Sequence, residues 1–170
     1  MQALKKYIPL LAVSLFFCLF IYVFYRTEKT LINQFVITLF SHERYTILKT
    51  SITSILPLKD CLIYSLPEGL WVFCITLTSS FFYLEVQQRK WSLAFVPILL
   101  AIIMEVLQLL HFTNGRFDLM DINFAAGFWL LALFCTGTNS FKEPFFQSFN
   151  TKTICCMMSY SIVYLAHVNH

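Results

Sequence analysis

The sequence predicts an all-α fold, a polytopic membrane helix bundle of about five transmembrane helices. Three observations carry that expectation. Of the 170 residues, 58% are hydrophobic and only 12% are charged, where soluble domains carry about 25% charge. The mean hydropathy is +0.70. The charged residues gather between long apolar runs, several of which approach the ~20 residues that cross a bilayer core. With 19 Phe and 8 Tyr beside 4 Gly, most side chains are bulky, which argues against an aqueous channel lined by small residues. A net charge of +3 without a basic stripe excludes nucleic acid as a partner.

The first span runs from about Tyr7 to Tyr25, between Lys5-Lys6 and Arg26. A cleaved signal peptide is the competing reading, but no small-residue exit precedes Arg26. From about 27 to 65 charges recur every few positions, and the apolar residues Leu31, Ile32, Phe35, Val36, Leu39, Phe40, Ile47, Leu48, Ile52, Ile55 and Leu56 have amphipathic spacing. That pattern predicts helices lying in the interface, either as a cap or as a lid over the bundle. Pro57 ends the second of them, and Lys59-Asp60 marks a polar turn.

The second span is expected from Leu66 to about Leu84, with Ser65 and Glu68 at capping-box spacing and Pro67 tolerated in the first turn. On that reading Glu68 is a cap rather than a catalyst. A charged turn, Glu85 to Lys90, leads to a third span from Trp91 to about Phe112, and Ile122 to about Cys135 gives the fourth. After a polar stretch from Gly137 to Thr153, Ile154 to Val168 is either a short fifth span or an interfacial helix. The whole chain, 1–170, reads as one integral membrane domain without internal repeats.

Six Lys or Arg fall on each side of a five-span arrangement, so the total decides nothing. The doublets Lys5-Lys6 and Arg89-Lys90 both fall on the N-terminal side, which favours a cytoplasmic N-terminus. Cys18, Cys61, Cys74, Cys135, Cys155 and Cys156 contain no CxxC pair and lie mostly in apolar runs, as buried cysteines do. His167 and His170 share a helical spacing with no carboxylate or thiolate nearby. No metal and no cofactor is therefore expected.

One polar constellation stands out. Glu105 is preceded by the apolar stretch Ile98 to Ile103, and a carboxylate at that depth costs on the order of 3 kcal/mol on insertion scales. Gln108 is one turn on, on the same face. Asn114-Gly115 reads as a tight turn that lets Arg116 fold back and pair with Glu105. Asp121 is expected to cap the fourth span, with Asn123 in its first turn and Gly127 allowing a close helix approach. The pair Asp118 and Asp121 could hold Mg²⁺ against a diphosphate, but the spacing offers no third carboxylate.

In this order, Glu105-x-x-Gln108, Arg116-Phe117-Asp118 and Asp121-x-Asn123-x-x-x-Gly127 resemble the hallmark of VanZ-like membrane proteins. That pattern is an E-x-x-Q helix end, an R-x-x-D-type turn and a D-x-x-x-N-x-x-G helix start. Here the asparagine follows the aspartate by two residues, where the family more often places it three or four later. The resemblance implies a small polytopic protein of the bacterial cytoplasmic membrane, related to the factor linked to low-level teicoplanin resistance. It places the motif toward the extracytoplasmic side and implies no agreed reaction.

Three functions remain open at this level. The first is an outer-leaflet pocket for a lipid-linked or cell-envelope ligand, with Arg116 on an anionic head group, Glu105 and Gln108 orienting it, and Asp118, Asp121 and Asn123 completing the site. Its partners would be membrane lipids or that ligand, and other membrane proteins. The second is a membrane enzyme using Glu105 as general acid or base and Arg116 as anion stabiliser, although no G-x-S-x-G, H-E-x-x-H or Cys/His dyad is present. The third is a structural subunit whose buried ion pair fixes helix register.

Overall fold

The first apolar run folds as one continuous helix, α1 (Gln2–Tyr25), in a computed structural model that describes residues 2–27, 31–113, 116–137, 142–146 and 150–168. The amphipathic segment forms α2 (Leu31–Phe40) and α3 (His42–Ile55), and α4 (Asp60–Ser79) follows the polar turn. A hairpin of β1 (Phe82–Val86) and β2 (Arg89–Ser92) leads through a 3₁₀ turn (Leu93–Phe95) into α5 (Val96–Leu109). Then come α6 (Leu119–Thr136), β3 (Glu143–Pro144) and α7 (Thr151–Val168). The chain is 76% helical, with seven helices among the described residues.

Three of these helices are long and apolar enough to cross a membrane, over Lys5–Tyr25, Asp60–Ser79 and Leu119–Thr136. The expected third span is shorter, an apolar helix over Leu93–Leu109 in which α5 has 14 residues. The helix expected at the C-terminus forms as α7, 18 residues long, but it is not among the three.

Two expectations about boundaries are corrected. Helix α4 starts at Asp60, not Leu66, with Lys59 as an N-cap that makes no side-chain bond, so Ser65 and Glu68 are interior and form no capping box. The residues expected to end that span and make a charged turn are instead a hairpin, with Tyr83 opposite Ser92 and Val86 opposite Arg89. Gln87 and Gln88 close it with φ of 50° and 63°, the left-handed pair that a tight two-residue turn requires. Strand β3 adds to β1 in parallel, with Glu143 N–H donating to Phe81 O at 2.8 Å. An all-α expectation thus gains a small three-stranded sheet.

Helix α4 is the centre of the bundle, buried at most positions from Ser65 to Ser79. Two of its inward hydroxyls bond back to their own helix, Thr76 to Val72 O at 2.6 Å and Thr78 to Ile75 O at 3.0 Å, whereas Ser79 Oγ pairs with the Tyr160 hydroxyl of α7 at 3.0 Å. It packs most closely on α6 at Gly69, where an added Cβ would stand 2.5 Å from Phe128 Cδ2 and 3.1 Å from Phe124 O. Gly127, expected to be the close-approach glycine, faces open space. The core lies toward the sheet, where Tyr7, Phe73, Leu77, Phe81, Phe82 and Leu93 pack together. Large apolar side chains also cover the outside, among them Phe16, Phe17, Leu99, Ile103 and Leu130, with Phe134 86% exposed.

Candidate functional site

At the end of the bundle away from the sheet, α1 and α5 terminate while α4 and α6 begin. Each brings polar groups there for a local reason. Helix α6 starts at Leu119 because the Asp118 carboxylate accepts the Met120 N–H at 2.9 Å, an N-cap bond. The cap is therefore Asp118. Asp121, expected to fill that role, stands in the first turn with its side chain free to face the bundle.

Glu105 points inward from α5 and is 2% exposed. Its Oε2 accepts the Asp118 backbone N–H at 3.0 Å, which ties the end of α5 to the start of α6. Glu68, two turns into α4, completes a group that spacing could not reveal. One carboxylate oxygen from each of Glu68, Glu105 and Asp121 lies within 4.8 Å of the other two. The third carboxylate missing from the local sequence is thus supplied from another helix.

Ser65, one turn before Glu68, is 1% exposed and faces the Asp121 carboxyl. Neither Ser65 Oγ nor Asp121 Oδ1 makes a well-directed hydrogen bond among the described residues, although the Ser65 hydroxyl lies close enough to the Asp121 carboxyl to interact with it. Buried polar atoms are rarely left so.

The cation of this site is Arg26. The expected pair between Arg116 and Glu105 or Asp121 is not formed, for Arg116 is exposed and Glu105 is held by a backbone N–H instead. The physical reason is that an amide two residues beyond Arg116 reaches the carboxylate without desolvating a guanidinium. Arg26 follows the end of α1, stacks over Tyr22 and Tyr64 with its guanidinium carbon 5.2 and 4.8 Å from the ring centres, and donates Nη2 to Tyr64 O at 3.2 Å. Its charge acts on both Glu68 and Asp121. Helix α3 holds it in place: Tyr45 donates to Val23 O at 2.7 Å and Lys49 Nζ to Arg26 O at 3.0 Å.

Of the residues expected at the site, Glu105 and Asp121 meet there and Asp118 borders it through its backbone. Gln108 is half-buried one turn beyond Glu105, and Asn123 is exposed. Asn114, Gly115 and His170, and the side chain of His167, lie outside the described residues. Glu68, Ser65 and Arg26 were missed. Compared with protein-family models, curated proteins and solved structures, the chain matches none of them.

Proposed function

We propose that this is a multi-pass membrane protein that binds the polar head of a lipid-linked or cell-envelope ligand where α1, α4, α5 and α6 meet. The observation that carries the reading is the gathering of Glu68, Glu105 and Asp121 from three apolar helices into one cluster, since carboxylates at such positions are costly unless used. The apolar exterior supports the membrane part, because exposed Phe and Leu over so much of a helical surface suit lipid rather than water. Lys5-Lys6, Arg89-Lys90 and Lys142 belong to the opposite end, with Tyr7 against Phe81 and Lys142 donating to Ser92. With that end cytoplasmic in a bacterial inner membrane, the cluster faces the outer leaflet. Arg26, not Arg116, contacts an anionic head group.

The resemblance of Glu105-x-x-Gln108 and Asp121-x-Asn123 to VanZ-like proteins suggests glycopeptide susceptibility as a phenotype to examine. The enzyme reading loses its anion stabiliser with Arg116 in solvent.

Native mass spectrometry of the detergent-purified protein tests the proposal. A co-purifying envelope lipid in the wild type that is lost in Arg26→Gln and Glu105→Gln at normal folded yield supports it. Equal lipid retention in all three, or none in the wild type, overturns the ligand reading.

A further inference from the structure

We propose that Glu68, Glu105 and Asp121, with the Ser65 hydroxyl, form a binding site for a hard divalent cation. The inference rests on this cluster being the working site, but not on the ligand being a lipid.

Geometry comes first. Two oxygens on opposite sides of a cation are ~4.8 Å apart for metal–oxygen distances of ~2.4 Å, as for Ca²⁺, and ~4.2 Å for ~2.1 Å, as for Mg²⁺. Three carboxylates that each place one oxygen within 4.8 Å of the other two therefore fit around a Ca²⁺-sized ion, and a small contraction suits the smaller one. All the donors are oxygens, which selects hard cations over zinc or copper.

The second observation is a buried hydroxyl beside the acids. Ser65 is 1% exposed, faces Asp121, and its Oγ makes no well-directed hydrogen bond among the described residues, as is also true of Asp121 Oδ1. A hydroxyl with free lone pairs beside an unfilled carboxylate oxygen is a fourth donor already in position.

Charge gives the valence. If all three carboxylates are ionised, they and the Arg26 guanidinium leave two negative charges in apolar surroundings, which one divalent cation would neutralise. The ion also resolves a conflict in the ligand reading, since a cluster of acids repels an anionic head group until a cation lies between them.

Full-length protein in detergent is titrated with Mn²⁺ and followed by its electron paramagnetic resonance signal, with Mg²⁺ and Ca²⁺ as competitors. A single class of site is expected, weakened at least about tenfold in Glu105→Gln, Asp121→Asn and Glu68→Gln. Ser65→Ala should weaken it less while leaving thermal stability unchanged or raised. The exposed Glu43→Gln should bind as the wild type does. Wild-type binding weaker than about 1 mM, or binding that survives both Asp121→Asn and Ser65→Ala in folded protein, overturns the proposal. If an acid variant fails to fold, Ser65→Ala and stabilisation of the wild type by Mn²⁺ that EDTA reverses decide the matter. Lipid retained without Mn²⁺ binding sinks the cation alone; Mn²⁺ bound without lipid sinks the ligand reading alone.

Discussion

Gly69 and Gly127 stand on neighbouring helices with opposite demands. At Gly69 a single methyl group meets the Phe128 ring and the Phe124 carbonyl, and a backbone oxygen cannot rotate away. Gly69→Ala should therefore force α4 from α6 and cost about 1–3 kcal/mol, whereas Gly127→Ala, in open space, should change stability by no more than about 1 kcal/mol. Thermal unfolding of both variants in one detergent checks the contrast, and equal effects would disprove the close packing at Gly69. The same scale shows what spacing can and cannot reveal. Glu105 was legible because a carboxylate inside Ile98–Val106 has no local excuse. Glu68 was not, because Ser65, Pro67 and Glu68 together imitate a helix start, and its two carboxylate neighbours are 37 and 53 positions away. Arg116 was the nearest cation in sequence, while the one in space comes from the end of α1.

At the scale of elements, the helices were legible because apolar runs, Pro57 and the charged stretches mark them, although α4 starts six residues before Leu66 and ends at Ser79. The strands were not. Phe82-Tyr83-Leu84 continues the apolar character of α4, and the Gln87-Gln88 turn lacks the glycine or asparagine that usually announces a hairpin. The third strand is fastened to α7 by a small polar knot: Glu143 accepts from Lys152 Nζ and from Asn150 Nδ2, and Asn150 Oδ1 accepts the Lys152 and Thr153 N–H groups. The Lys152 bond, helped by Asn150, holds the Glu143 carboxyl below the ordinary carboxylate range. A lowered folded-state pKa means that the stabilisation is fully present above the unfolded value and is lost as pH falls through the folded one. Hydrogen exchange at the Glu143 and Phe145 amides, which donate to Phe81 O and Tyr83 O, should accelerate below about pH 4 after correction for intrinsic rates. In Glu143→Gln that pH dependence should vanish; its persistence would assign the effect to another group.

For the whole molecule, the proposed topology sets the Gln87 turn and Arg116 on opposite faces of a bilayer. Thiols introduced as Gln87→Cys and Arg116→Cys should react with an impermeant maleimide from opposite sides of intact spheroplasts and inverted vesicles, and labelling from one side would refute the crossing of α5. That helix has a further consequence. Its 14 residues and the three of the preceding 3₁₀ turn extend about 27 Å, against a hydrocarbon core of ~30 Å that α4 beside it matches with 20 residues. If α5 crosses as proposed, a bilayer gripping both would thin on the α5 side, over Glu105. Headgroups and water would then reach the cluster without any gate, and access would be a property of the surrounding lipid. Reconstitution into short-chain and long-chain phosphatidylcholine should show it: carbodiimide labelling of Glu105 should be slower in the thicker membrane, and a rate indifferent to chain length would mean that the site opens by some other route.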